Sequence, residues 1–209
     1  MKLAFILAGL TAVSHAAILL ETIDLQSSSQ TTTVWTDLSS ANATLVPDSG
    51  SGSMSVAGGF SASTGLYSFA GDYSATIAQT VGFDIASVVL QVELSPNGAF
   101  PYDGGPLLTL TTSLGTEQLA ASLYAAGDSE LRSGTMGPTT YTAYAWQWDL
   151  SSYGDTITSV SLETPFAVHS SVTAARIDVG DSFAPVVVPE PSTALLSLVG
   201  MGFILRRRR

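Results

Sequence analysis

The chain has 209 residues, no cysteine, and 17 acidic residues against 7 basic ones, so disulfides and thiolate metal sites are excluded. Five of the basic residues, Lys2 and Arg206, Arg207, Arg208 and Arg209, sit at the two ends; residues 17–188 keep Arg132 and Arg176 against sixteen acids, a formal charge of −14. Phosphate backbones and anionic lipid surfaces repel such a polyanion, which argues against nucleic-acid binding.

At the start, Met1-Lys2 is a minimal positive region, and Leu3–Val13 is apolar throughout. Ser14-His15-Ala16 then places small residues three and one positions before a cut that leaves Ala17 first. This order predicts a secretory signal peptide over residues 1–16, the alternative being a buried N-terminal helix or strand.

Residues 17–182 predict one all-β domain. Strand-like runs recur at short spacing, separated by Gly, Ser, Asn, Asp and Pro clusters. In chain order they are Ile18–Leu25, Thr31–Leu38, Ser53–Val56, Leu66–Phe69, Tyr73–Val81, Val88–Leu94, Leu108–Leu114, Tyr141–Leu150, Ile157–Glu163 and Val172–Val179. Period-two alternation is cleanest over Val88–Leu94, where Val88, Leu90, Val92 and Leu94 share one face and Val89, Gln91 and Glu93 the other, the pattern of a half-buried strand. About ten short strands without a helical period predict an antiparallel β-sandwich of the jelly-roll type. A core of ~150–170 residues is stable without crosslinks. Pro47–Ser53 reads as a flexible surface loop, Pro96–Pro106 as a long turn-rich connection carrying Phe100 and Tyr102, and Phe183–Val188 as an extended linker.

Chemistry is sparse. His169 is the one histidine left after signal removal. There is no nucleophile elbow, zinc-type histidine pair or phosphate-cradling glycine loop. Glu93, Glu117, Glu130 and Glu163 offer carboxylates for glycoside chemistry, yet no spacing pairs two of them. An enzyme is therefore not expected, and no cofactor is expected either; Asp178, Asp181 and Asp103 leave a structural calcium open, without an EF-hand pattern. Asn42-Ala43-Thr44 matches a glycosylation acceptor by chance composition. Tyr144, Trp146 and Trp148 fall on one face of a single run. They read either as the inner face of the sandwich or as a flat platform on which sugars stack.

The last segment is the most distinctive. Val188-Pro189-Glu190-Pro191-Ser192 is followed by the apolar run Thr193–Leu205 and by Arg206–Arg209. An apolar run closed by arginines is a stop-transfer element, because the arginines stay on the cytoplasmic side. Ser192–Leu205 is short against the roughly 20 residues of a comfortable spanning helix; it suits a minimal, temporary anchor. The three parts in this order resemble the PEP-CTERM sorting signal of bacterial surface proteins. The resemblance covers residues 189–209 and implies processing near Pro189–Pro191 by an exosortase, a membrane protease-transpeptidase. A plain C-terminal membrane tail is the alternative.

Together these features lead to an exported protein, anchored at the inner membrane as an intermediate and then placed in the envelope, at the surface or in the matrix. The expected function is a non-catalytic surface or matrix role. A carbohydrate-binding module for exopolysaccharide or environmental glycans is the alternative.

Overall fold

The computed structural model describes residues 19–113, 115–134 and 137–186. The expected signal peptide, Leu114 and the sorting segment from Val188 to Arg209 lie outside these. Among the described residues no helix is long and apolar enough to cross a membrane.

The described chain forms twelve strands: β1 (Gln30–Trp35), β2 (Ser53–Ala57), β3 (Phe60–Ala62), β4 (Gly65–Tyr67), β5 (Tyr73–Thr80), β6 (Ser87–Ser95), β7 (Leu107–Thr112), β8 (Gly115–Ala120), β9 (Leu123–Gly134), β10 (Gly137–Asp149), β11 (Ser159–Phe166) and β12 (Ser171–Gly180). Seven make one antiparallel sheet in the order β3-β4-β12-β6-β10-β9, with β1 beside β12; five make the other, β2-β5-β11-β7-β8. Sequence order nests across the sandwich: β7 pairs with β8, β6 with β10, β5 with β11 and β1 with β12. That nesting is a long antiparallel hairpin rolled over two sheets, which is the jelly-roll arrangement. β2, the β3–β4 hairpin and β9 are additions at its edges.

Period two explains the core. Val88, Leu90, Val92 and Leu94 of β6, Trp146 and Trp148 of β10, and Ala175, Ile177 and Val179 of β12 all point between the sheets. There they meet Ile77, Leu108, Leu110, Leu162 and Phe166 of the five-stranded sheet. Each such large apolar side chain contributes about 1.5–3 kcal/mol by leaving water. One buried polar pair crosses this core, Thr33 Oγ1 donating to Gln79 Oε1 at 2.7 Å.

Several segments differ from expectation. Val88–Leu94 is not half-buried: Val89, Gln91 and Glu93 on its outer face are 1%, 3% and 1% exposed. The cover is the segment expected as a strand at Ile18–Leu25, whose described part pairs with no strand edge. It crosses the outer face of β6 instead. The Leu19 N–H donates to Glu93 Oε2 (2.7 Å) and the Glu21 N–H to Gln91 Oε1 (3.0 Å), while Gln91 Nε2 donates back to the Glu21 carbonyl (2.8 Å). Side-chain amide and carboxylate groups thus satisfy a backbone that has no ladder partner. Ile23 and Leu25 alternate inward onto Val89, which is why the segment carries strand periodicity without being a strand.

Pro47–Ser53 is tied down rather than flexible. The Val34 N–H donates to the Ser49 carbonyl, the Asp48 N–H to the Val34 carbonyl, and Asp48 Oδ2 accepts from the Thr36 N–H (2.6 Å) and hydroxyl (2.7 Å). The linker expected at 183–188 is docked over its first residues: Gln147 Nε2 donates to the Ala184 carbonyl and Gln147 Oε1 accepts from the Val186 N–H, both at 2.8 Å. Finally, β3, β8 and β9 have no counterpart in the expected runs. β8 is exposed on nearly every residue and therefore shows no alternation to read.

Candidate functional site

A groove of about 450 Å³ opens on the outer face of the seven-stranded sheet, between the β3–β4 hairpin and the tip of the β9–β10 hairpin. Its placement follows from strand lengths. β10 pairs with β6 only from Thr142 onward, whereas Gly137–Tyr141 pairs with β9 alone, so the hairpin tip projects beyond β6 as one wall. The other wall lies close to β12 because β4 begins with Gly65. Its φ is +127°, and an added Cβ there would meet the Val172 carbonyl oxygen at 2.1 Å.

Ser95, Ser171 and Thr173 line the groove from the ends of β6 and β12. A register shift between Val172 and Ala174 makes room for Thr173, and such bulges re-aim side chains. Thr173 Oγ1 donates to Glu93 Oε1 at 2.5 Å. The same carboxylate takes both terminal nitrogens of Arg132, Nη1 to Oε1 at 2.5 Å and Nη2 to Oε2 at 3.1 Å. Arg132 Nε donates to Glu130 Oε2 at 2.8 Å, and the guanidinium lies 5.0 Å from the centre of the Tyr141 ring. Burial pushes the Glu93 carboxyl upward, but hydrogen bonds from Arg132, Thr173 and the Leu19 N–H, with the Arg132 charge, hold it below the usual carboxylate range. The Arg132 guanidinium is raised, chiefly by its hydrogen bond to Glu93.

The opposite wall is aromatic. Phe69 is 68% exposed; it stacks on Phe60 (ring centres 5.8 Å apart) and meets Tyr67 edge-on (4.7 Å). The Tyr67 hydroxyl and His169 Nδ1 are hydrogen-bonded at 2.9 Å. His169 has a left-handed backbone (φ +67°), held by its N–H to the Ser68 carbonyl at 3.1 Å. A non-glycine residue fixed there is uncommon, and such conformations concentrate at functional sites.

The residues singled out from sequence are distributed differently. Trp146 and Trp148 are 3% and 1% exposed inside the sandwich, and Trp148 Nε1 donates to the Leu119 carbonyl at 3.0 Å. Those two rings form inner face, not an open sugar platform. Tyr144 is half-buried beside Phe100 (4.4 Å) and has a ring nearly parallel, at 7°, to exposed Tyr124. Glu93 and Glu130 do come together, as two carboxylates on the one Arg132 guanidinium. Glu117 accepts from the Tyr153 hydroxyl, and Glu163 is exposed on β11.

Asp178 is fully buried and spends its oxygens on Arg176, Thr32 and Gln30; Asp181 accepts from Ser28. Among the described residues no three His, Asp or Glu side chains converge as metal ligands. The Asn42 amide donates to the Asp37 and Val46 carbonyls and so is committed to its own turn.

Tyr67, Phe69, Arg132 and Tyr141 were not among the expected site residues. The available signal was Arg132 itself, since a domain with two arginines and sixteen acids uses each cation for a specific pairing.

No family model, no curated protein and no solved structure matches the chain. Its class rests on the fold and the groove: an acidic, cysteine-free jelly-roll β-sandwich.

Proposed function

We propose that this chain is an exported, non-catalytic surface or matrix protein, delivered by an N-terminal signal and anchored, then processed, through the PEP-CTERM-like segment at residues 189–209. The observation that carries this is where the domain's two ends lie. Residues 19–25 and 184–186 lie on the same outer face, with Val186 packed against the Ile23, Leu25 and Val89 cluster. The described chain thus begins and ends on one face of the sandwich, which supports the reading of a domain delivered and then held through its ends. Mass spectrometry of the exported product tests the processing step. A C-terminus near Pro189–Ser192 is expected, and an intact Arg206–Arg209 overturns it in favour of a plain tail anchor.

Carbohydrate binding is the second reading, favoured by a groove that combines exposed aromatic faces with hydroxyl-bearing side chains. Such mixed lining is what oriented recognition of a small ligand needs.

A further inference from the structure

We propose that the groove between the β3–β4 hairpin and the β9–β10 tip binds a short neutral oligosaccharide; the assignment rests on the carbohydrate-binding reading and gives it a site and a ligand class. Four observations converge on it.

The first is shape. A trough of about 450 Å³ lies within the roughly 300–1,000 Å³ of small-molecule sites. Its floor is the face of a sheet, not an edge.

The second is surface chemistry. Phe69, backed by Phe60 and Tyr67, keeps 68% of its surface in water at the groove, and sugar C–H groups cover such rings well. Serine and threonine hydroxyls line the groove between the walls; Thr173 and Ser171 already donate to Glu93 and Thr64 and keep lone pairs to accept, and a hydroxyl group can both donate and accept, which suits a polyol rather than an ion.

Charge is the third. The groove's cation, Arg132, is clasped by Glu93 and Glu130 and stacked on Tyr141, which leaves no net positive charge for a carboxylated or sulfated glycan. The formal charge of −14 over residues 17–188 repels such polymers at long range. A neutral ligand escapes both penalties.

The fourth is preorganisation. The left-handed His169 backbone, the Tyr67–His169 hydrogen bond and the Gly65 contact with β12 hold the aromatic wall before any ligand arrives, which lowers the ordering cost of binding.

The test uses the full chain in detergent. It is titrated with neutral hexasaccharides (β-1,4-glucan, β-1,3-glucan, mannan, xylan) and with alginate and polygalacturonate as anionic probes. Binding of at least one neutral hexasaccharide is expected, weakened roughly tenfold or more by Phe69→Ala and by Thr139→Trp, which fills the groove from its strand wall. Tyr124→Ala, at the separate Tyr124–Tyr144 pair, is expected to leave it unchanged. Circular dichroism melts of each variant establish that the fold is retained. If a neutral sugar binds and is lost with Tyr124→Ala but not with Phe69→Ala or Thr139→Trp, the site is overturned while carbohydrate binding stands. Binding of anionic polymers alone overturns the ligand class, and no binding by any probe overturns the carbohydrate reading itself.

Discussion

The outer face of the seven-stranded sheet has two halves with opposite fates. Over Val89 and Gln91 of β6 it is covered by residues 19–25 and flanked by 184–186, through Gln91, Gln147 and a small apolar cluster. Beyond Glu93 the same face is left open and becomes the groove. Glu93 serves both halves, accepting the Leu19 N–H on one side and Arg132 and Thr173 on the other. The contrast teaches what a sheet face needs to be covered: side chains able to stand in for ladder partners, plus apolar groups to exclude water. Where aromatic walls and an ion-paired arginine replace them, the face stays accessible.

The largest effect is expected at the junction. Glu93→Ala removes the acceptor shared by Arg132, Thr173 and the Leu19 N–H while Glu130 still holds Arg132, and should cost about 2–3 kcal/mol. Chemical denaturation of the full chain measures this, and a loss below about 1 kcal/mol would mean that the pair behaves as a surface bridge. Gly65→Ala comes next. Its Cβ must displace the β4–β12 contact at a left-handed position, for an expected loss of about 2 kcal/mol and a wall moved away from the groove.

Releasing the covered half alone should be milder. Gln91→Ala removes two hydrogen bonds to Glu21 and should cost about 1–2 kcal/mol. Amide exchange should then speed up at Glu21 while the core strands keep their protection; uniform protection in the variant would show that the cover does not depend on Gln91. The pH dependence has a definite sign. Because the Glu93 carboxyl is held low in the fold, its contribution is complete above the ordinary glutamate value of about 4.3. It is lost as pH falls from there through the folded value. Stability measured from pH 6 down to pH 2 should fall less steeply in Glu93→Gln than in the parent. The smallest stability effect belongs to Phe69→Ala, within about 0.5 kcal/mol, since its ring is mostly in water. A markedly lower melting temperature there would make Phe69 a packing residue instead of a groove wall.

Much of the inner architecture was legible in the residues. The alternation Val88, Leu90, Val92, Leu94 identified a core face, and the stripe Trp146, Trp148, Leu150 was readable as one beside the sugar-platform reading, because burial between two sheets imposes period two on both. The outer face was not legible. Val89, Gln91 and Glu93 look like a solvated face, and only a segment about seventy positions earlier covers them. Edge strands β8 and β9 escaped for the opposite reason: exposure on both sides removes any alternation. The groove was scattered too, since Tyr67 and His169 are 102 positions apart and Arg132 lies in a hairpin that no hydrophobic pattern announced.

What the sequence determined by itself was local and periodic: an all-β sandwich with its inner faces, an acidic charge, no cysteine chemistry, and the expectation of export and sorting signals at the two ends. Tertiary structure decided which outer faces are covered, that Glu93 and Glu130 share Arg132, and that a groove forms where β10 outruns β6. The physical reason is that burial between sheets writes a repeat into each strand, whereas pairing across a fold depends on distances that no stretch of neighbouring residues contains.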